Sequence, residues 1–185
     1  RLGRSMRTLA VTNQKGGSGK TTAAVNLAAA LAERGRSVLL VDLDPQASAS
    51  LWYGVPDTGR ALFDALTERG SLAAAAQKTS TSGVELVPAG SWLVGVEKAL
   101  AGEVGAEAIL RRRIAALPET RWDFVILDCP PALGLLTVGA LTAARELLVP
   151  VEAHVMALAG LAHLLQTVEV VRERLNADLS LTGLL

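Results

Sequence analysis

The chain has 185 residues, with 18 Lys and Arg against 18 Asp and Glu, a formal net charge of zero and a single cysteine; half of it is hydrophobic and the mean hydropathy is +0.36. That length suits one domain with a sizeable core, the apolar share excludes a disordered chain, and one cysteine excludes a disulfide framework and fits a reducing compartment. No run reaches the roughly 20 apolar residues of a membrane helix, no apolar run of secretory type opens the chain, and zero net charge removes a global basic signature for nucleic acid, though not a local basic face.

Residues 1–5 precede Met6 and read as an N-terminal arm or remnant outside the domain, which spans 6–185. Thr8 to Thr12 reads as a short buried strand, followed by a Gly-rich turn and a helix over Thr21 to Arg34. Gly35 is placed to stop that helix as a left-handed cap. Ser37 to Asp42 is a second buried strand. Residues 44–60 contain Pro45, Gly54, Pro56 and Gly59 and read mostly as loop. Short helices are expected over Ala61–Glu68 and Leu72–Gln77, then a strand at Val84–Val87, helical segments over Leu93–Leu100 and Ala106–Leu117, a strand at Asp123–Asp128 and a fifth at Glu146–Val151. A long helix is expected from Ala157 to Asn176, its buried face made by Leu158, Leu161, Leu165, Val168, Val171 and Leu175 at spacings of three and four. The closing LSLTGLL reads as the start of a sixth strand. Continuously apolar strands alternating with helices predict an α/β fold, a mostly parallel sheet with helices on both faces.

Gln14 to Thr22, QKGGSGKTT, lies between the first strand and the first helix. That is the context of the phosphate-binding loop of a P-loop NTPase. Gly16, Gly17 and Gly19 let the backbone turn, and with Ser18 they bring N–H groups toward phosphate oxygens. The helix start adds partial positive charge. Lys20 is expected to reach the β- and γ-phosphates of ATP or ADP. The Thr21 hydroxyl is expected to ligate Mg²⁺, and Thr22 to bond an α-phosphate oxygen or cap the helix. The general pattern G-x-x-x-x-G-K-[ST] wants glycine at 14; Gln14 stands there, with a second lysine, Lys15, beside it.

Two predicted strands end in carboxylates: Val41-Asp42-Leu43-Asp44-Pro45-Gln46 and Leu127-Asp128-Cys129-Pro130-Pro131. Ligands of open parallel sheets bind at the carboxyl ends of strands, so Asp42, Asp44 and Asp128 are expected to face the nucleotide. Asp128 is placed to hold Mg²⁺, through water, since that ion keeps several waters.

KGGSGKTT resembles the deviant Walker A motif KGGxGKT[ST] of the ParA/MinD family of P-loop ATPases. VDLDPQ resembles the D-x-D-P-Q of its ParA/Soj-type members, and DCPPALGLLTVGAL their second switch, D-x-P-P-[SA]-x-x-x-L-T-x-N-A-L. The likeness covers nearly all of residues 7–185. It implies an Mg²⁺-dependent ATPase, weak until a ParB-type activator stimulates it, that forms an ATP-sandwich homodimer. By the same resemblance Lys15 reaches across that dimer to the partner's nucleotide, and Asp44 orients or polarises the attacking water beside the metal. Asp42 either supports a magnesium-bound water or only ends its strand. The implied role is chromosome or plasmid partition on non-specific double-stranded DNA, in the bacterial cytoplasm at the nucleoid and away from membranes. The alternative is a ParA-like positioning ATPase for a non-DNA cargo. Lys15 and Asp-Pro-Gln speak against a metabolic P-loop enzyme, and one cysteine against an iron–sulfur donor. Gly139 replaces the family's usual asparagine, and Ala159 its common glutamate; both positions lie in regions that family dimers use for contacts. Family members usually continue beyond GLL with elements carrying adenine contacts and basic surface, so weaker adenine selectivity and DNA affinity are expected of this stretch.

The remaining polar features read as structural. His154 and His163 lack metal-ligand spacing, and His163 falls off the apolar stripe of its helix. Arg111-Arg112-Arg113 splays around a helix and reads as solvated surface rather than as a DNA-facing stripe. Cys129 reads as a family-typical residue, not a reactive thiol. Trp52 and Tyr53 are placed to pack on the loop or on a partner.

Overall fold

The computed structural model describes residues 6–67, 70–152 and 155–185, the side chains of 155–159 aside. His154, Leu158, Ala159 and Glu68 therefore lie outside the described residues or side chains. The elements run β1 Arg7–Val11, α1 Lys20–Glu33, β2 Val38–Asp42, α2 Ser48–Trp52, α3 Arg60–Thr67, α4 Leu72–Ala75, β3 Gln77–Lys78, β4 Val84–Val87, α5 Val96–Ala99, α6 Ile109–Ala115, β5 Phe124–Asp128, α7 Leu135–Ala143, β6 Glu146–Val149, α8 Val155–Arg174 and β7 Ser180–Leu184. Single turns of 3-10 helix precede α5 and α6.

The seven strands form one sheet in the order β3-β4-β2-β5-β1-β6-β7. Every pairing is parallel except β3 with β4, which is antiparallel. Side chains along each strand alternate between two cores. Ala10, Leu39, Val41, Val125, Leu127, Leu147 and Val149 point to the layer of α3 to α8. Val11, Val38, Leu40, Val84, Leu86 and Ile126 meet α1 and α2 through Ala24, Val25, Ala28, Ala49 and Tyr53. All five residues of β2 are buried, because helices cover both faces. The predicted architecture is the observed one.

Residues 44–60 are mostly loop as expected, with the short α2 formed within them. Two elements differ from expectation. Gln77 belongs to an edge strand, not to the preceding helix. And α7 has no counterpart in the pattern reading, because Leu136, Thr137, Gly139, Ala140, Leu141 and Thr142 are all buried. A helix buried nearly all round shows no apolar stripe, and β-branched residues with a central glycine lower its apparent propensity. On α8, Val168 and Val171 lie in the core as expected, but Leu164 is fully buried there and Leu165 only half-buried. The stop of α1 is as read: Gly35 has φ +73, its N–H donates to Ala32 O and that of Arg36 to Leu31 O, the paired bonds of a Schellman cap.

Candidate nucleotide site

The strand order sets β1 and β2 on either side of β5, so their carboxyl ends form one rim. Registers pair Val11 with Asp128 and Asp42 with Asp128. The chain leaving β1 crosses this rim as the Gly-rich loop and enters α1 at Lys20. Gly17 and Gly19 have φ of +75 and +80, a region closed to most side chains. Gly19 caps α1 without a side-chain hydrogen bond, which leaves the first-turn N–H groups available to an external acceptor. Because α1 starts at Lys20, Thr22 is an exposed third helical residue and not its cap.

Lys20 folds back under the loop. It is buried, and its Nζ donates to the Lys15 carbonyl at 3.0 Å. Burial lowers its pKa, and the charges of Asp128 and Asp44 pull the other way. The Ser18 hydroxyl is buried and has no partner among the described residues. Asn13, which the motif reading did not single out, pins the loop: its Nδ2 donates to Pro150 O at 2.6 Å, and its Oδ1 accepts the Lys15 N–H at 3.2 Å.

The three carboxylates are brought together but are differently engaged. Asp128 is wholly buried, and neither of its oxygens has a hydrogen-bond partner among the described residues. Burial raises its pKa to about 7, partly offset by the nearby Thr21 hydroxyl and by Lys20, while Asp42 and Asp44 push it further up. Asp42 is equally buried, yet its oxygens accept the Ser50 N–H and hydroxyl and the Asp44 N–H. Asp44 is half-buried, and its Oδ1 accepts the Gln46 N–H at 2.9 Å in an Asx turn. Orphaned carboxylate oxygens beside a threonine and a lysine fit a hydrated cation. Mg²⁺ is held by one or two carboxylates and water, a donor set that the Asp128 carboxylate and the nearby Thr21 hydroxyl match.

The isolated carboxylate has a consequence for stability. The Asp128 pKa lies above its ordinary 3.8, so the folded state retains a proton that the unfolded chain releases. Its stabilising share is full below pH 3.8 and is lost as pH rises through about 7. A gap of this size is worth on the order of 4 kcal/mol. Metal-free Asp128→Asn is therefore expected to outlast the parent in urea at pH 8, with the advantage shrinking toward pH 5. Denaturation curves at both pH values check this, and identical pH slopes for the two proteins contradict it.

Lys15 points out of the loop that Lys20 points into. Its side chain is 44% exposed and is paired with Glu152, just after β6. Gln14, at the motif's missing glycine, lies 3.0 Å from Nδ1 of exposed His163 on α8. Trp52 is exposed, whereas Tyr53 tucks beneath α2 and donates to Val25 O. Cys129 is buried, and burial drives its thiol pKa strongly upward. The arginine triplet is largely solvated as read, Arg111 and Arg112 being exposed and Arg113 half-buried, but its guanidinium groups also meet backbone: Arg111 donates to Leu175 O, Arg113 to Ala65 O and Arg112 to Gly105 O. Arg111 and Arg113 thus satisfy backbone carbonyls near the ends of α8 and α3.

Comparison with known proteins settles the lineage. Residues 6–181 match the AAA domain family AAA_31. The chain is 41% identical over 179 residues to the sporulation initiation inhibitor protein Soj of Bacillus subtilis, covering 96% of this chain and 70% of that protein. It is 42% identical over 181 residues to the chromosome partitioning protein ParA of Caulobacter vibrioides, covering 96% and 68%. The chain belongs to the ParA/Soj family. Among solved structures, this ParA/Soj chain superposes at TM-score 0.91 and 41% identity on a cobyrinic acid a,c-diamide synthase of Mycobacterium smegmatis, crystallised with an ATP analogue and magnesium, over 97% of this chain and 74% of that one. No helix among the described residues of this family member is long and apolar enough to cross a membrane.

Proposed function

We propose that this ParA/Soj chain is an Mg²⁺-dependent ATPase that dimerises around ATP and serves DNA partition, with a ParB-type activator and non-specific duplex DNA as partners. The observation that carries the reading is the division between two loop lysines. Lys20 is buried beneath the loop, where it serves the chain's own phosphates. Lys15 stands outward on the same rim, where it can serve a second copy. The kinship with Soj and ParA, both matched over most of their length, supports the partition role. The M. smegmatis neighbour carries the name of a metabolic synthase; Lys15 and Asp44-Pro45-Gln46 weigh for the partition reading here.

The roles follow from position. N–H groups of Gly16 to Gly19 and of the first turn of α1 bind the phosphates. Lys20 neutralises the β- and γ-oxygens. Thr21 and Asp128, with Asp44 behind them, hold Mg²⁺, and that ion when bound offsets phosphate charge. Asp44 orients the attacking water. Lys15 leaves Glu152 to neutralise charge on the partner's nucleotide, as trans-acting cations do in phosphoryl transfer. The kinship with Soj and ParA supports work in the cytoplasm at the nucleoid as part of this reading.

The test is the dimer. The parent is expected to shift to twice its mass in size-exclusion chromatography with ATP and Mg²⁺ but not with ADP, and Lys15→Ala to stay monomeric while keeping nucleotide affinity. ATP-dependent dimers of Lys15→Ala contradict the trans role. ATP dimers that ignore duplex DNA at low salt favour a positioning ATPase with another cargo.

A further inference from the structure

Ser50 has no part in the chemistry above, yet its polar groups are fully committed. It lies on α2, buried, six residues after Asp44. Its hydroxyl donates to Asp42 Oδ2 at 2.7 Å, and its N–H donates to the same oxygen at 2.9 Å. The hydroxyl oxygen also accepts the Ala89 N–H at 3.0 Å, from the chain leaving β4. The other Asp42 oxygen accepts the Asp44 N–H at 3.2 Å. One buried carboxylate at the tip of β2 therefore grips both ends of segment 44–50.

What lies between the grips needs holding. Asp44 heads an Asx turn, with the Ala47 N–H donating to its carbonyl at 2.8 Å. Ala47 then takes φ +54, the one described non-glycine residue with positive φ. A side-chain-bearing residue holds that conformation when its surroundings over-determine it. Here the surroundings are Asp42 on one side of the turn and Ser50 on the other. Ala89 is buried two residues beyond β4, so it ties Ser50 in turn to the chain leaving the strand beside β2.

We infer that Ser50 is a positioning residue for ATP hydrolysis: through Asp42 and the Ala89 N–H it fixes where the Asp44 carboxylate stands relative to the rim. This also assigns Asp42, whose role the sequence left open, to holding the turn. The inference rests on the reading of Asp44 as the group that orients water. A purely space-filling Ser50 would be replaced by alanine with little effect on turnover, since only an oxygen is lost. A positioning Ser50 would not, because displacements of about 1 Å in a catalytic group cost on the order of 100-fold in rate.

The experiment uses the full chain with Mg²⁺ and ATP in single-turnover hydrolysis, nucleotide affinity from a fluorescent ATP analogue, and hydrogen exchange over residues 44–52. Ser50→Ala is expected to lower the hydrolysis rate by about 10- to 100-fold with affinity within about twofold of the parent, and to speed exchange in the segment. Ser50→Thr, which keeps the hydroxyl, is expected to restore both. Asp42→Asn preserves size but loses one acceptor, and should repeat the rate-only loss; parental turnover in it overturns the inference even if Ser50→Ala does not fold. Parental rates in Ser50→Ala while Asp44→Ala is blocked overturn the positioning role and leave the proposed function standing. Parental rates in Asp44→Ala remove the water-orienting reading and Ser50's role with it. Equal losses of affinity and rate in both Ser50 variants mark a structural residue and also overturn it.

Discussion

Lys20→Ala is expected to abolish productive ATP binding. Lys20 is held beneath the loop by one bond, from its Nζ to the Lys15 carbonyl, with the burial of a cation opposing it. A phosphate placed over the loop offers that ammonium the charged acceptors it lacks. Hydrogen bonds to charged groups are worth about 1.5–3 kcal/mol each, so losing two of them weakens affinity by roughly 100-fold or more. The measurement is the thermal shift on adding ATP and Mg²⁺: several degrees for the parent and none for Lys20→Ala. A parental shift in the variant would remove Lys20 from the phosphate site. The variant itself should fold, because alanine is a strong helix former and the cation it replaces is partly desolvated.

Asp44→Ala should separate binding from turnover. Asp44 makes no hydrogen bond to the Gly-rich loop; its described bonds run to Asp42, Gln46 and Ala47. Its removal therefore leaves the phosphate cradle in place. General-base or water-orienting groups contribute about 10²- to 10⁴-fold, so hydrolysis should fall by that amount while ATP affinity stays near the parent's. The ATP-bound form should accumulate as a long-lived dimer on size-exclusion chromatography, with duplex DNA co-eluting. Hydrolysis at the parental rate would sink the assignment, and loss of ATP affinity would place Asp44 in binding instead.

The legible and the illegible parts of this molecule divide by physical cause. The parallel sheet could be read because β2 and β5 are apolar runs closed by Asp and β1 carries a buried run from Thr8 to Val11 closed by a Gly-rich turn. The loop could be read because three glycines and two lysines sit between a strand and a helix. Asp42 and Asp128 were placed at strand tips by the rule for parallel sheets, and the register pairs them across neighbouring strands. What local pattern could not show is which buried carboxylate is satisfied. Asp42 and Asp128 look alike in sequence, and only the fold reveals that Ser50 holds Asp42 while the Asp128 oxygens meet no close donor among the described residues.

Other contacts escape for a related reason. Asn13 meets Pro150, and Glu97 accepts the Leu135 N–H at the start of α7; no periodicity joins residues so far apart. The arginine triplet is mostly exposed as its pattern implies, but charge count says nothing about which carbonyls a guanidinium can reach. Two of the three find carbonyls near helix ends, at Ala65 on α3 and at Leu175 just after α8. The helix α7 was missed for lack of a polar face, although its Thr137 and Thr142 hydroxyls bond backbone carbonyls, at Ala132 and Val138.

The chain's single thiol makes it a convenient scaffold for reporter chemistry. Cys129 lies in the core, and its burial strongly disfavours the thiolate, the form that attacks maleimides and disulfides. The native protein should therefore be silent toward such reagents. A cysteine introduced at an exposed site such as Trp52, on the segment that follows Asp44, would be the one reactive handle, with no background to remove. A dye or spin label placed there would watch the rim through a nucleotide cycle without first re-engineering the fold.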